Sequence, residues 1–271
     1  MNYRHAYHAG NFADVLKHAL LCWIVRYLQQ KEAPLCLIDT HAAAGLYDLT
    51  GTQAEKTGEA KDGIQRLIGR NDVPTHFAPY LDLVRKANPS YPGSPALLSA
   101  LARANDKVIL CELHPEEAAQ LRQSIAPGKN IHIITGDGYR TLPTLIPPPE
   151  KRGLVLIDPP FEQPEELETL TKFFASAHNK WPLATYILWF PIKDRAQLNR
   201  FKSELQNTAI KKLTLITMDI AREEGLSATG LILANAPYTL EAEWRQPLTW
   251  LTSILAQGAT PASSVEHLSD G

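Results

Sequence analysis

Gly153-Leu154-Val155-Leu156-Ile157-Asp158-Pro159-Pro160-Phe161 decides how this chain is read. Five uncharged residues run into an acid, two prolines and an aromatic ring. Such an apolar run is the pattern of a strand covered on both faces, as in a parallel sheet flanked by helices. The prolines end it, because each lacks a ladder N–H and fixes its own φ. Asp158 therefore stands at the carboxyl end of a central strand, where open α/β sheets keep their ligands. A carboxylate and a backbone carbonyl, that of Pro159, can together accept both hydrogens of a planar NH2 group. The Phe161 ring can stack on the base that carries it. The plainer alternative is a strand stop followed by a turn, and the other strand ends decide between the two.

Residues 35–39 form a first strand closed by Asp39, followed by the small-residue loop Thr40-His41-Ala42-Ala43-Ala44-Gly45. The dinucleotide fingerprint Gly-x-Gly-x-x-Gly is absent there, which argues against a nicotinamide or flavin enzyme. Lys107-Val108-Ile109-Leu110-Cys111 is closed by Glu112, whose carboxylate suits the two hydroxyls of a ribose. Residues 130–135 are followed by Gly136-Asp137-Gly138, an acid placed to accept from an adenine amine. Asp39, Glu112, Asp137 and Asp158 thus close four apolar strands in succession. One such acid is a turn residue; four define the rim of a ligand crevice.

The remaining elements fall around these strands. Residues 165–181 and 194–207 read as helices, and 184–190 as a strand. Residues 213–219 and 230–234 read as two strands forming an antiparallel edge pair. Residues 244–255 close the domain as a helix despite Pro247. Asn235-Ala236-Pro237-Tyr238 imitates the Asp158 motif after a late strand and is set aside as a decoy. Residues 46–92 break the βα rhythm and read as a helical insertion, with one helix near 75–87. Ser94 is expected as the N-cap of the next helix with Pro95 at its first position, its hydroxyl available to a ligand. The expected division is an arm and helix at 1–34, an α/β core at 35–45 and 93–257, the insertion at 46–92, and a loose tail at 258–271.

At 271 residues and 44% hydrophobic, the chain can bury a full α/β core, and no apolar run approaches the ~20 residues that span a bilayer. The net charge of −2 advertises no global attraction for a polyanion, so any nucleic-acid contact must be local. Cys22, Cys36 and Cys111 sit in apolar runs without metal-like spacing, as reduced thiols do in a cytoplasmic protein. Before the first helical stripe (Val15, Leu16, Ala19, Leu20, Trp23, Ile24, Tyr27) stands an arm rich in His, Tyr and Arg. His5, His8, Asp14 and His18 have a usable spacing for a metal, but no second cluster completes a site, so none is expected. A solvated helix start, or one facing a ligand, remains for these residues.

Taken together, Tyr3-Arg4-His5, His8-Ala9-Gly10-Asn11, Ala13-Asp14-Val15-Leu16-Lys17-His18, Asp39-Thr40-His41, Tyr91-Pro92-Gly93-Ser94-Pro95, Glu112-Leu113-His114-Pro115 and Ile157-Asp158-Pro159-Pro160 resemble the bacterial RlmJ family. The resemblance runs from residue 2 to about residue 250. It implies a class I S-adenosyl-L-methionine (AdoMet) methyltransferase, Rossmann-like with a mostly parallel sheet, that methylates N6 of one adenine in 23S ribosomal RNA. It also implies that His18, His41, Ser94, Glu112, Asp137, Gly138 and Asp158 contact the cofactor, that Asp158 is the catalytic acceptor, and that Tyr3 meets the RNA. We add Lys17 as a partner for the cofactor's carboxylate and Arg4 as an RNA contact. A cytoplasmic monomer acting on protein-free or early-assembly RNA, without membrane association, is expected. Two residues depart from the family: Phe161 replaces a frequent Tyr, and Ala43 a frequent Gly. Rival readings are a DNA adenine-N6 methyltransferase and a non-catalytic nucleic-acid binding or uptake-related protein on the same fold.

Overall fold

The computed structural model describes residues 5–51, 56–126, 128–162 and 166–269. Among them, eight strands form one sheet in the order β10-β8-β9-β7-β6-β1-β4-β5. These are β1 (Cys36–Asp39), β4 (Lys107–Glu112), β5 (Ile131–Thr135), β6 (Gly153–Ile157), β7 (Thr185–Ile192), β8 (Leu213–Asp219), β9 (Ala228–Ala234) and β10 (Ala262–Ser269). The strands from β5 to β7 run parallel, as the unbroken apolar runs predict. Side chains alternate between two cores with the period of 2 that the pleat imposes. Leu37, Val108, Leu110, Leu154 and Leu156 pack on one face; Ile38, Ile109, Cys111, Val155 and Ile157 pack on the other.

The first face is covered by α1 (Phe12–Leu28), α5 (Ser94–Leu101) and α10 (Leu240–Leu255), the second by α8 (Glu166–Lys180) and α9 (Arg195–Gln206). Helices α6 (Pro115–Ser124) and α7 (Gly138–Leu145) follow β4 and β5. The chain leaves β1 for β4 on one side and later returns to β6 on the other. This reversal opens a crevice at the carboxyl ends of β1, β4 and β6, the place where such sheets bind ligands.

Helix α1 is buried from Phe12 to Val25, polar residues included, where the sequence suggests a single apolar stripe. The insertion is the reason. It leaves and rejoins the core through a two-stranded ribbon, β2 (Leu46–Asp48) with β3 (Ser90–Pro92), and carries α2 (Glu59–Asp62), α3 (Gln65–Ile68) and α4 (Ala78–Ala87). Ile64, Leu67, Phe77, Tyr80 and Val84 pack into the same core as α1.

Two expectations are corrected at the far side of the sheet. The strands β8 and β9 do pair antiparallel, but β9 is interior, between β7 and β8. The edge belongs to β10, which runs antiparallel to β8, so residues 262–269 of the tail expected to be loose form a paired strand. Its polar sequence follows from its place: an edge strand with a solvated face needs few apolar residues, and Leu268 supplies the buried one. Ser94 is likewise not a cap: Gly93 holds that position without a side-chain bond, and Ser94 is the first residue of α5.

Candidate active site

Asp158 follows directly on β6, and its carboxylate is met from the opposite layer by α1. Lys17 Nζ donates to Asp158 Oδ2 at 2.6 Å and lies 2.8 Å from Asp14 Oδ1. Asp14 Oδ2 in turn accepts from His5 Nε2 at 2.9 Å and from the Gly10 amide at 3.0 Å. Burial would strip Lys17 of its proton, but Asp14 and Asp158 outweigh it and hold the ammonium far above its ordinary range. Asp14, equally buried, is kept well below the carboxylate range because His5, Lys17 and His18 outweigh its desolvation. Lys17 is therefore committed to two carboxylates, one of them Asp158, a pairing that sequence reasoning did not foresee.

Phe161 adopts φ 52°, a left-handed conformation that is unusual for an aromatic residue. Its ring packs edge-on against Trp189 with centroids 5.5 Å apart. Trp189, not Phe161, is the ring that lines the cavity beside Asp158, Pro159 and Pro160. Lys17 Nζ lies 5.6 Å from the Trp189 ring centroid, within cation–π range. Because Ile157 pairs with Leu188 across β6 and β7, Trp189 falls level with Asp158.

The crevice continues toward β4 and β5. Glu112 accepts from the Ala43 amide at 2.7 Å through Oε2 and from the His114 amide at 2.6 Å through Oε1. Two loop amides thus hold the carboxylate still, with lone pairs left for hydroxyl donors. Asp137 caps α7 by accepting from the Tyr139 amide at 2.9 Å. A Cβ on Gly138 would lie 2.1 Å from the Thr40 carbonyl oxygen, so only glycine lets α7 approach the β1 loop this closely. Ala43 sits at φ 51°, a conformation in which glycine is at ease and alanine strained, which gives the departure from the family pattern a physical meaning.

His18 and His41 are both neutral. Burial lowers His18 to about 3, with Asp14 opposing; its Nδ1 lies 2.6 Å from the Tyr91 hydroxyl, which leaves Nε2 as the atom a ligand can meet. Burial lowers His41 to about 4, with Asp158 and Asp137 opposing. Thr40 Oγ1 donates to the Leu156 carbonyl at 3.0 Å, so it accepts from His41 Nδ1 at 2.8 Å and Nε2 of His41 is an acceptor. Ser94 is buried in the wall close to Asp39.

One cavity of about 640 Å3 gathers Lys17, His18, His41, Ser94, Glu112, Asp137, Gly138, Asp158 and Pro159. Tyr3 and Arg4 lie outside the described residues. Among the described residues, Asp14, Glu59, Glu112, Glu117, Asp137, Asp158, Glu162 and Glu166 bring eight carboxylates to the wall against one lysine. No cluster of three or more His, Cys, Asp or Glu among the described residues is arranged to hold a metal. His5, His8 and His18 go instead to Asp14, Glu59 and Tyr91. The imitation motif at Asn235 lies at the other end of the sheet, its amide spent on the Pro182 and Ala184 carbonyls at 2.8 Å each. Sequence reasoning missed Trp189, Tyr139 and Glu59 in the wall; Trp189 alone had a signal, as an aromatic one strand over and level with Asp158.

A mostly parallel sheet reversed at β1, with acids from the ends of β4, β5 and β6 around one cavity, defines a class I methyltransferase fold. The chain belongs to the family described as ribosomal RNA large subunit methyltransferase D, RlmJ, whose model matches residues 32–268. It is 35% identical to ribosomal RNA large subunit methyltransferase J of Escherichia coli K12 and to that of Haemophilus influenzae, with 99% of each chain covered. The crystal structure of protein LPL1258 from Legionella pneumophila superposes with a TM-score of 0.88 at 33% identity, over 96% of this chain and 98% of that one. A probable spermidine synthase from Corynebacterium glutamicum shares the fold at 14% identity and a TM-score of 0.52, over 97% of this chain and 77% of that one.

Proposed function

We propose that this chain transfers a methyl group from AdoMet to N6 of one adenine in 23S ribosomal RNA. We further propose that it acts as a cytoplasmic monomer on protein-free or early-assembly RNA. Family membership supports the class of reaction, an AdoMet-dependent methylation of large-subunit RNA. Among the described residues, no helix is long and apolar enough to cross a membrane. The observation that carries the chemistry is Asp158 at the end of β6, fixed by Lys17 at 2.6 Å, beside Pro159 and Trp189 in the cavity wall.

The residues present fit the cofactor. Glu112 is tied by two amides yet open to ribose hydroxyls, His18 and His41 are neutral, and Gly138 leaves backbone flush with the wall. Eight carboxylates suit a molecule with net positive charge. AdoMet, when bound, supplies a methyl group that is already activated. What this chain adds is position and polarity. The adenine amine is a poor nucleophile because its lone pair feeds the ring. Asp158 and the Pro159 carbonyl accept its hydrogens and draw that pair back toward nitrogen. Lys17, always charged, keeps Asp158 oriented for this role. The base leaves its stack to enter, at a cost of a few kcal/mol, and Trp189 with Phe161 behind it replaces the lost stacking. Tyr3 and Arg4 of the arm meet the RNA.

Labelled AdoMet offered with protein-free 23S RNA, then with DNA, tests the reading. Label on one adenine of the RNA is expected. Label on DNA alone would favour the DNA-enzyme rival, and label on neither the non-catalytic one.

A further inference from the structure

Asp39 closes β1 and is completely buried. Its Oδ1 accepts from the His41 amide at 3.1 Å, while Oδ2 is shielded from solvent and has no hydrogen-bond partner. A buried carboxylate oxygen without a donor is costly, and the usual remedy is to hold a proton. Its charged and titratable neighbours among the described residues come from α1, β6, α5 and β4. Lys17 of α1 is the nearest cation and is already shared between Asp14 and Asp158. Asp158, beyond β6, adds like charge; Ser94 of α5 lies near enough to favour ionisation without closing a hydrogen bond to Oδ2. Cys111 on β4 is a neutral thiol, pushed up to about 12 by burial. Burial dominates and pushes the Asp39 carboxyl up to about 7, against Ser94, the His41 amide and Lys17.

We propose that Asp39 carries a proton in the cofactor-free protein and gives it up when a cationic cofactor fills the adjoining cavity. The inference rests on reading that cavity as the AdoMet site. The carboxyl O–H bond breaks, its electron pair stays on Asp39, and the proton leaves to water. The new negative charge answers the positive charge brought in through the wall of Ser94 and His41. His18 and His41 cannot be the source near neutrality, since at about 3 and about 4 they have already lost their protons. Asp14 and Lys17 are held far from that range on either side. His5, His8 and His114, which also face the cavity, are separated from Asp39 by the variant below.

The sign follows from linkage. Binding prefers the ionised carboxyl, so affinity is full above the cofactor-free value and is lost as pH falls through it. Affinity for AdoMet should be about tenfold weaker near pH 6 than near pH 8. Calorimetry of AdoMet binding near pH 6.5, in phosphate and in imidazole, should show net release of a large fraction of a proton. Asp39→Asn should bind with no such release and a flat pH dependence. Because Asn at a buried site can unfold the domain, a second measurement uses the wild type. Infrared difference spectra with 13C-labelled aspartate should lose a protonated-carboxyl band on binding. Equal proton release in wild type and Asp39→Asn, or no loss of that band, would overturn the proposal. Absence of any binding heat would remove the cofactor reading and this inference with it.

Discussion

Replacing Gly138 with alanine tests whether α7 and the β1 loop are locked in register around the cofactor. The added Cβ would stand 2.1 Å from the Thr40 carbonyl oxygen and 3.0 Å from the Thr40 carbonyl carbon and Cβ. Carbon–oxygen contacts settle at about 3.3 Å, so one backbone must retreat by about 1 Å. Thr40 cannot slide freely, since its amide and its hydroxyl both bond the Leu156 carbonyl, at 3.1 and 3.0 Å. Overpacking of this kind costs about 1–3 kcal/mol. At about 2–4 °C per kcal/mol in a domain of this size, melting should fall by roughly 2–12 °C. The displaced loop carries His41 and Ala43, whose amide fixes Glu112, so affinity for S-adenosylhomocysteine should drop as well. A misplacement near 1 Å is worth about a hundredfold in turnover. Differential scanning calorimetry and titration with S-adenosylhomocysteine read the two effects separately. A Gly138→Ala protein that melts with the wild type and binds the ligand equally well would refute the packing argument.

Three further outcomes are expected. Lys17→Met leaves Asp14 buried with His5 and the Gly10 amide but no lysine, and Asp158 without its cation; breaking such a pair costs about 3–5 kcal/mol, so melting should fall by roughly 10 °C with turnover lost, and unchanged melting would deny the pairing. Trp189→Ala should raise KM for RNA by the loss of one stacking surface, about 1–3 kcal/mol, more than Phe161→Ala does, while Phe161→Tyr changes little; the reverse order would restore Phe161 as the stacking ring. Ala43→Gly relieves about 1–2 kcal/mol of left-handed strain and adds about 0.5–1 kcal/mol of chain entropy, so thermal unfolding should shift slightly upward, and a downward shift would count against it.

Much of the fold was legible because buried parallel strands announce themselves as unbroken apolar runs, and the acids at their ends mark the crevice. What stayed hidden depended on pairing across distance. The ribbon of β2 and β3 is three residues a side, with Pro92 in it, too short for any periodicity to show. The polar run of β10 reads as coil until β8 supplies its partner. Asp14, Lys17 and His18 look like a solvated helix start because nothing local says that the insertion folds over them. Lys17 reaches Asp158 across 141 residues of chain, and no spacing rule predicts such a contact. Adjacency in sequence points to Phe161 as the stacking ring; in the fold its ring packs edge-on against Trp189, which the register of β7 on β6 brings level with Asp158 in the wall.

The balance of charge in the cavity also divides the work of binding RNA. A phosphate drawn in among eight carboxylates and one committed lysine would meet like charge on nearly every side. The same wall that welcomes a cationic cofactor therefore keeps the RNA backbone out, and what can enter is an uncharged base turned out of its stack. Backbone affinity must then come from residues beyond the rim. Lys56 of the insertion, 5.9 Å from the Tyr7 ring centroid, joins the arm to the insertion outside the cavity lining and pairs a cation with a stacking surface. Added salt screens exposed contacts of that kind and leaves buried ones largely untouched. Rising ionic strength should thus act on KM for RNA and spare both cofactor affinity and turnover at saturating RNA, because the charges that hold the base and those that hold the strand occupy different places on this fold.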